Sequence, residues 1–209
     1  MEERESKIED GGTNTGAVRL FVAIVLPDEV KDKIEKTQGE MRRALSSGGV
    51  RWTRREQFHL TLKFLGNVEI SRVAELTESL RNACLDFTAL RLRAGRIGFF
   101  PDMRRPRVVW AGVRDEKDIL PRLQLAIETA TENFTKERPE GKFAGHVTLG
   151  RIQRIQRQQA EILTRLALSM EERFFGDWVA GQVELIRSEL SSSGSHYTTI
   201  AAIPLASRK

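Results

Sequence analysis

The feature that most constrains this chain is a strand–helix–strand pattern that occurs twice with nearly equal spacing. The first copy has an apolar strand from Arg19, an amphipathic helix and a second strand that carries His59. The second copy has a strand from Arg107, an amphipathic helix and a strand that carries His146. The histidines lie 40 and 39 residues after these arginines. Matching order and spacing predict an internal duplication with a histidine on the equivalent strand of each copy.

Each copy continues with a helix and a further strand, so strand and helix signals alternate along the chain. Residues 90–100 read as the strand that closes the first copy, and residues 179–190 as one long strand region that closes the second. Residues 198–203 are expected to add an edge strand. This alternation predicts an α/β fold. A pseudo-two-fold axis between the copies would bring His59 and His146 to opposite sides of one central cleft.

Length and charge restrict the organisation further. The 209 residues, 40% of them hydrophobic, supply one good core or two small lobes but not several independent domains. Residues 1–16 carry five acidic and two basic side chains and hardly any apolar ones, which predicts a disordered acidic tail before a single domain over residues 17–209. The net charge of +5 suits a polyanionic ligand without requiring one.

The sequence shows no signal for export or for a membrane. Its longest apolar run, residues 20–26, is far shorter than the roughly 20 residues that span a bilayer, and the first residues are acidic. Cys84 is the single cysteine, which excludes an internal disulfide and a cysteine-based zinc cluster. We therefore expect a cytoplasmic protein without a membrane partner, and nothing in the sequence demands more than a monomer.

All three histidines are followed two residues later by threonine, and two of these sequences lie on the equivalent strands. Residues i and i+2 of a strand share a face, so His59, Thr61 and Lys63 are expected on one side. His146 and Thr148 share a face in the same way. The intervening apolar residues would pack against a helix and give each imidazole a stiff mount.

The third such sequence, at residues 196–198 (HYT), lies outside the repeat. It follows the turn-like residues 191–195 (SSSGS), and its threonine is not followed by the leucine of the other two motifs. We interpret His196 as a peripheral residue.

Two facing imidazoles with adjacent hydroxyl groups fit an in-line displacement at phosphorus. One imidazole would accept the proton of the attacking oxygen and the other would protonate the leaving oxygen, since both titrate near neutral pH. Thr61 and Thr148 would donate hydrogen bonds to the non-bridging oxygens, where charge accumulates. Threonine is a poor metal ligand and neither motif holds a further ligand, so no metal or other cofactor is expected.

The segments that carry these motifs, residues 59–66 (HLTLKFLG) and residues 146–151 (HVTLGR), resemble the paired motifs of the 2H phosphoesterase superfamily. Within it the chain most resembles the bacterial and archaeal RNA 2′,3′-cyclic phosphodiesterases, often labelled 2′-5′ RNA ligases. The resemblance covers residues 18–203. The chain departs from the family at Gly145, where proline is common. Further segments that carry the resemblance are residues 19–24 (RLFVAI), 51–53 (RWT), 98–101 (GFFP) and 107–113 (RVVWAGV).

The resemblance implies a bilobal duplicated α/β (α+β) fold, with two antiparallel sheets flanking a central cleft and helices on the outside. It implies that the partner is an RNA or nucleotide with a 2′,3′-cyclic phosphate end, hydrolysed to a 2′-phosphate. His59 would then donate a proton to the departing 3′-oxygen and His146 would accept one from water. Thr61 and Thr148 would hold the phosphate oxygens. The residues alone do not assign acid and base, because the duplication makes the histidines near-equivalent.

Four further residues are candidates for substrate binding. Arg151 directly follows the second motif strand and matches an arginine common in the family. Lys63 is expected on the face of His59. Trp52 and Phe100 would stack on a base, although positions in the core or between the lobes fit their aromatic rings equally well.

Two other functions remain open from the sequence. One is ATP-independent joining of 2′,3′-cyclic and 5′-hydroxyl ends into a 2′-5′ bond, which is the same chemistry in reverse. The other is a catalytically silent nucleotide- or RNA-binding module, against which the retention of both histidines and both threonines speaks.

Overall fold

The computed structural model describes residues 16–45, 48–137, 141–191 and 194–206, so the expected tail lies outside the described residues except for Gly16. No helix in these ranges is both long and apolar enough to cross a bilayer. The elements in chain order are β1 (Ala17–Val25), α1 (Asp28–Ala44), β2 (Val50–Trp52), β3 (His59–Glu69), α2 (Val73–Cys84), β4 (Leu90–Phe100), β5 (Val108–Asp115), α3 (Ile119–Ala130), β6 (His146–Ile152), α4 (Arg157–Ser169), β7 (Phe174–Ala180), β8 (Gln182–Ser191) and β9 (Gly194–Pro204).

The strands form an antiparallel sheet in the order β7-β4-β5-β6-β3-β1-β8-β9, with β2 paired to β6. This order is symmetric about the contact between β6 and β3. Strand β5 then corresponds to β1, β4 to β8 and β7 to β9. The expected α/β class and its duplicated architecture are confirmed.

The two expected sheets are joined into one. Leu60 of β3 and Val147 of β6 form an antiparallel pair, and in the described part of the chain it is the one pair between these strands. Because the contact is so short, the halves remain distinct. We call β3, β1, β8 and β9 lobe A, and β6, β5, β4, β7 and β2 lobe B.

The helices cover one face of the sheet, and each copy contributes one helix to each lobe. Helices α2 and α3 pack on lobe A, against β9 and β3, whereas α1 and α4 pack on lobe B, against β7 and β4. Helix α1 shows the sequence basis of this packing. Val30, Ile34 and Met41 recur at helical spacing and are 3%, 0% and 0% exposed, so they form one buried stripe.

The interpretation of residues 179–190 as one strand region was wrong. The chain forms two strands there, β7 and β8, which are separated at Gly181. Strand β7 is the edge of lobe B, whereas β8 lies between β1 and β9 in lobe A. Glycine weakens a strand interior, so Gly181 was the available signal for the break. The expected edge strand over residues 198–203 is present within β9.

Each histidine-bearing strand has a β-bulge at the same position after its motif. In β3, Thr61 pairs with Ala23 and Lys63 with Val22, so Leu62 is the extra residue. In β6, Thr148 pairs with Trp110 and Gly150 with Val109, so Leu149 is the extra residue. An extra residue is left out of the ladder and reverses the facing of the residues that follow it.

A buried glutamine satisfies the backbone at each bulge. Gln38 of α1 donates its Nε2 hydrogens to the carbonyl oxygens of Leu149, at 2.8 Å, and Thr53, at 2.7 Å. Gln124 of α3 donates to the carbonyl oxygen of Leu62 at 3.4 Å. Both glutamines are 9% exposed. The helix of each copy therefore supports the bulge of the other copy.

We predict that Gln38→Leu lowers the free energy of unfolding by about 1–3 kcal/mol, because the carbonyl oxygen of Thr53 loses the amide donor and that of Leu149 keeps only the backbone N–H of Thr53. Urea denaturation followed by circular dichroism measures this change. Gln158→Leu, at an exposed position of α4, is the matched control. An equal effect of the two substitutions would contradict the structural role of Gln38.

Candidate active site

The pairing of Leu60 with Val147 brings the two motifs together. Continued by one residue in each direction, this antiparallel register sets Thr61 opposite His146 and His59 opposite Thr148. Leu60 and Val147 are fully buried, so these four polar residues, all half-buried, share the other face of the sheet. We call this face, which the helices leave uncovered, the cleft face.

The backbone orients both imidazoles in the same way. The Nδ1 atom of His59 lies 2.6 Å from the carbonyl oxygen of Gln57, and that of His146 lies 2.7 Å from the carbonyl oxygen of Ala144. A carbonyl oxygen only accepts a hydrogen bond, so the proton of each neutral ring is on Nδ1. Each Nε2 atom is therefore left to accept or donate the transferable proton.

Aromatic side chains pack against His59 within lobe A. The ring of Phe21 lies 4.8 Å from the imidazole, and that of Tyr197 lies edge-on at 5.4 Å. Phe21 and Ile186 are 3% and 5% exposed, and with Tyr197 they form a small apolar cluster on the cleft face. This cluster restricts the motion of His59 and removes water from one side of its ring.

His146 has an aromatic neighbour of its own. The ring of Phe100 lies edge-on at 4.8 Å from the imidazole, and Trp110 lies 5.2 Å from Phe100. The structure therefore places Phe100 beside the second motif. Its contact with a base stays a prediction.

Burial favours the neutral form of both imidazoles. Burial lowers the pKa of His59 to about 4. The hydrogen bond to Gln57 raises this pKa but is outweighed, and the charges of His146 and Lys31 lower it further. Burial likewise lowers the pKa of His146, against the hydrogen bond to Ala144, and the charge of Arg151 adds to this lowering. The effect of His146 on the pKa of His59 agrees with their facing positions.

The two threonine hydroxyls are available to a ligand. In the part of the chain that the structure describes, neither Thr61 nor Thr148 hydrogen-bonds to another protein group through its side chain. Both are half-buried beside an imidazole of the opposite motif. Two unpaired donors at this place are suited to bind the oxygens of a phosphate group.

Arg151 lies within the strand that carries His146, which is two residues longer than the sequence predicts. It is exposed and pairs across the strands with Arg51 of β2. Burial raises the pKa of Tyr197, while the charges of Arg151, Arg19 and Arg51 lower it, so three cations act on this end of the cleft. Their positive charge favours an anionic ligand.

Lys63 corrects the sequence interpretation. The bulge at Leu62 turns its side chain away from His59, to the face covered by α3, where it is 5% exposed. Its ammonium group pairs with Glu128 and donates a hydrogen bond to the carbonyl oxygen of Glu137 at 2.9 Å. The expectation that Lys63 shares the face of His59 and binds substrate there was wrong. Phe64 takes that face instead and is 52% exposed.

Trp52 also differs from its expected role. It is half-buried, packs against the main core and covers Gly150 on the paired strand, where a Cβ would lie 2.9 Å from its ring. Of the two positions that the sequence left open for this ring, the structure supports the one in the core.

Other residues of the site had weak signals in the sequence. Tyr197, the single tyrosine of the chain, lies inside the third His-x-Thr sequence, where His196 itself is exposed and faces Glu189 across the strands. Phe21 looked like one more residue of an apolar strand. Among the described residues, no three His, Cys, Asp or Glu side chains cluster closely enough to hold a metal ion.

The fold and the paired His-x-Thr strands are those of two-histidine phosphoesterases. The LigT-like phosphoesterase family matches residues 24–110, which include the first motif. An RNA 2′,3′-cyclic phosphodiesterase of Aeropyrum pernix is 34% identical over 154 residues, which cover 73% of this chain and 84% of that protein. A protein of the same name from Aquifex aeolicus is 29% identical over 186 residues, which cover 88% and 95%. The chain therefore belongs to the LigT-like phosphoesterases, in the family of the RNA 2′,3′-cyclic phosphodiesterases.

Solved structures agree with this assignment. A protein of Thermus thermophilus superposes with a TM-score of 0.73 at 25% identity, over 91% of this chain and 100% of that one. E. coli LigT, crystallised with 3′-AMP, superposes with a TM-score of 0.68 at 22% identity, over 90% and 98%. The second likeness shows the shared fold.

The low pKa of His59 predicts a dependence of stability on pH. Between pH 6.5 and about 4 the unfolded imidazole is protonated while the folded one stays neutral, so acidification in this window favours the unfolded state. We expect the wild type to lose about 2 kcal/mol more than His59→Gln between pH 7 and pH 4.5. Urea denaturation at both pH values measures the difference. Equal losses would show that His59 titrates normally in the folded protein.

Proposed function

We propose that this protein hydrolyses the terminal 2′,3′-cyclic phosphate of RNA to a 2′-phosphate without a metal ion. The observation that carries the proposal is the arrangement of two imidazoles around one strand contact, each with its Nε2 atom available and an unpaired threonine hydroxyl beside it. The names of the relatives support the choice of substrate.

The proposed reaction is an in-line displacement in which His146 accepts a proton and His59 donates one. The oxygen of water forms a bond to phosphorus while the bond from phosphorus to the 3′-oxygen breaks. The water proton passes to Nε2 of His146, and the proton on Nε2 of His59 passes to the departing 3′-oxygen. Exchange of protons with solvent then restores the starting forms.

The remaining groups stabilise the charge of the phosphate. Thr61 and Thr148 donate to the non-bridging oxygens, where charge accumulates in the transition state. Arg151 attracts the anionic substrate, and Phe100 lies beside the reacting group. The phosphate anion raises the pKa of both imidazoles once it is bound, so His59 can hold its proton in the complex.

The assignment of donor and acceptor follows the family resemblance, since the pseudo-symmetry makes the two histidines alike in backbone anchoring. A nucleoside p-nitrophenyl phosphodiester separates the two roles, because p-nitrophenolate departs without a proton. Loss of the donor is then expected to cost much less on this substrate than loss of the acceptor.

The same proposal includes a monomer in the cytoplasm. Both motifs come from one chain, which supports a site complete without a second copy. The RNA substrate supports an intracellular location.

We predict that His59→Ala and His146→Ala each lower kcat about 10³-fold or more, and that Thr61→Val and Thr148→Val lower it about 100-fold. The assay follows an oligoribonucleotide ending in a 2′,3′-cyclic phosphate, in EDTA, with separation of 2′- and 3′-phosphate products. His196→Ala is the matched control and should keep kcat within about twofold.

Each result of this assay is decisive. Chelator-sensitive turnover would contradict the metal-free mechanism. Joined products with a 5′-hydroxyl oligonucleotide, in place of hydrolysis, would identify a ligase. Binding without turnover would identify a binding module.

The lowered histidine pKa values also predict the pH dependence of the rate. We expect a bell-shaped profile of kcat/KM with both limbs below pH 6.5, because this quantity reports the free enzyme. The profile of kcat should shift to higher pH, since the bound phosphate anion favours the imidazolium forms. Initial rates from pH 3.5 to 9 measure both, and limbs of kcat/KM above pH 6.5 would contradict the burial effect.

A further inference from the structure

A groove of about 650 Å³ runs along the cleft face of lobe B. It is lined by Trp110 and Gly112 of β5, which pair with Thr148 and His146, so the groove continues directly from the catalytic motif. From there it extends across β4 toward Phe174 at the start of β7. Its volume lies in the range of ligand-binding pockets.

The groove exists because the pseudo-symmetry is broken at this place. In lobe A, the residue that pairs with the catalytic histidine is Val25, and Phe21, Ile186 and Tyr197 fill the adjoining surface. In lobe B, the corresponding position is Gly112, and it pairs in turn with Gly95 of β4. The missing side chains make room on these strands for the ring of Trp110, the side chain of Arg96 and the backbone of Arg173, which line the groove in place of an apolar cluster.

Arginine side chains lie along the groove in positions that are unfavourable for the sheet itself. Arg93 and Arg114 lie directly opposite each other on β4 and β5, an arrangement of like charges that destabilises a sheet. Asp177 forms an ion pair with Arg93. Arg114 is exposed, and no carboxylate among the described residues lies within ion-pair distance of it.

Among the described residues, Arg96 is the second cation of the groove without an ion pair, and its backbone conformation is strained. It is the extra residue of a bulge in β4 and has a φ of 53°, a left-handed conformation that non-glycine residues rarely adopt. Its Cγ atom lies 3.7 Å from the position of a Cβ on Gly112, so the side chain lies over Gly112, the residue that pairs with His146. In the described ranges it makes no ion pair.

The other polar groups of the groove carry charges of both signs. Arg173 is paired with Glu40 of α1, whereas Glu171 and Glu172 are exposed at the rim. The indole Nε1 hydrogen of Trp110 is buried and has no acceptor among the described residues. This nitrogen is closed to solvent, as is that of Trp178, so it is not a contact for a ligand in the groove.

We propose that this groove binds the phosphodiester backbone of the RNA strand on the 5′ side of the cyclic phosphate, with Arg96 and Arg114 contacting phosphates. The proposal rests on the proposed function for its substrate. A terminal cyclic phosphate occupies the 2′- and 3′-oxygens, so the RNA leaves the site through its 5′-oxygen alone and needs one exit. The groove supplies that exit, and the enzyme thereby prefers polymeric ends to cyclic mononucleotides.

The test compares adenosine 2′,3′-cyclic phosphate with a five-nucleotide RNA ending in a 2′,3′-cyclic phosphate. The variants are Arg96→Gly, which suits the positive φ, Arg114→Ala and their combination. Arg122→Ala, at an exposed position of α3 on lobe A, removes the same charge elsewhere and is the control.

We expect the double variant to raise KM for the oligonucleotide about tenfold or more, with kcat and the mononucleotide kinetics within about twofold of the wild type. The slope of log KM against log salt concentration should fall by about 1.4, the value for two lost contacts on a single strand. Equal effects on both substrates, or an equal effect of Arg122→Ala, would overturn the proposal.

Failure of the proposed function gives a different result. If the wild type hydrolyses neither substrate, fluorescence anisotropy with a labelled oligoribonucleotide bearing a 3′-phosphate still decides the role of the groove. A tenfold weaker Kd for the double variant would support it, and an unchanged Kd would overturn it.

Discussion

The pair formed by Leu60 and Val147 joins the two lobes and, since adjacent strand residues face opposite ways, it also sets the face on which the polar residues of both motifs lie. A shift of one strand by one residue would move the histidine and threonine of its motif to the core face. Both residues are fully buried in the main apolar core. Apolar packing on one face of the sheet therefore determines the chemistry available on the other.

The bulges limit the regular alternation of polar and apolar faces to the two motifs. Beyond Leu62 and Leu149 the facing of side chains reverses, so one residue of each strand leaves the cleft for the core and the next takes its place. Gln38 and Gln124 make the bulges tolerable by donating hydrogen bonds to the displaced carbonyls. The two bulges and the buried amides that bind them therefore fix the strands on which the imidazoles and hydroxyls lie.

The sequence was sufficient for the duplication, the facing of the histidines and threonines, and the family, because these depend on strand periodicity and on a long motif. The sequence did not predict the face on which Lys63 lies, because period-two alternation assumes a regular strand and the bulge at Leu62 interrupts it. Gln38 and Gln124 look like ordinary polar residues of a helix surface, and only the exchange of helices between lobes buries them. The groove depends on glycines paired across strands, which requires the register.

The exchange of elements between the copies has a consequence for how such a chain can diversify. Each lobe contains strands and helices from both halves of the sequence, so a chain of half this length would have to pair with a second copy of itself to complete either lobe. In such a homodimer every substitution would appear on both sides of the two-fold axis. Fusion of the two copies into one chain removes that restriction. In this protein, Phe64 and Arg151 occupy equivalent positions on the two sides of the axis and differ in chemistry.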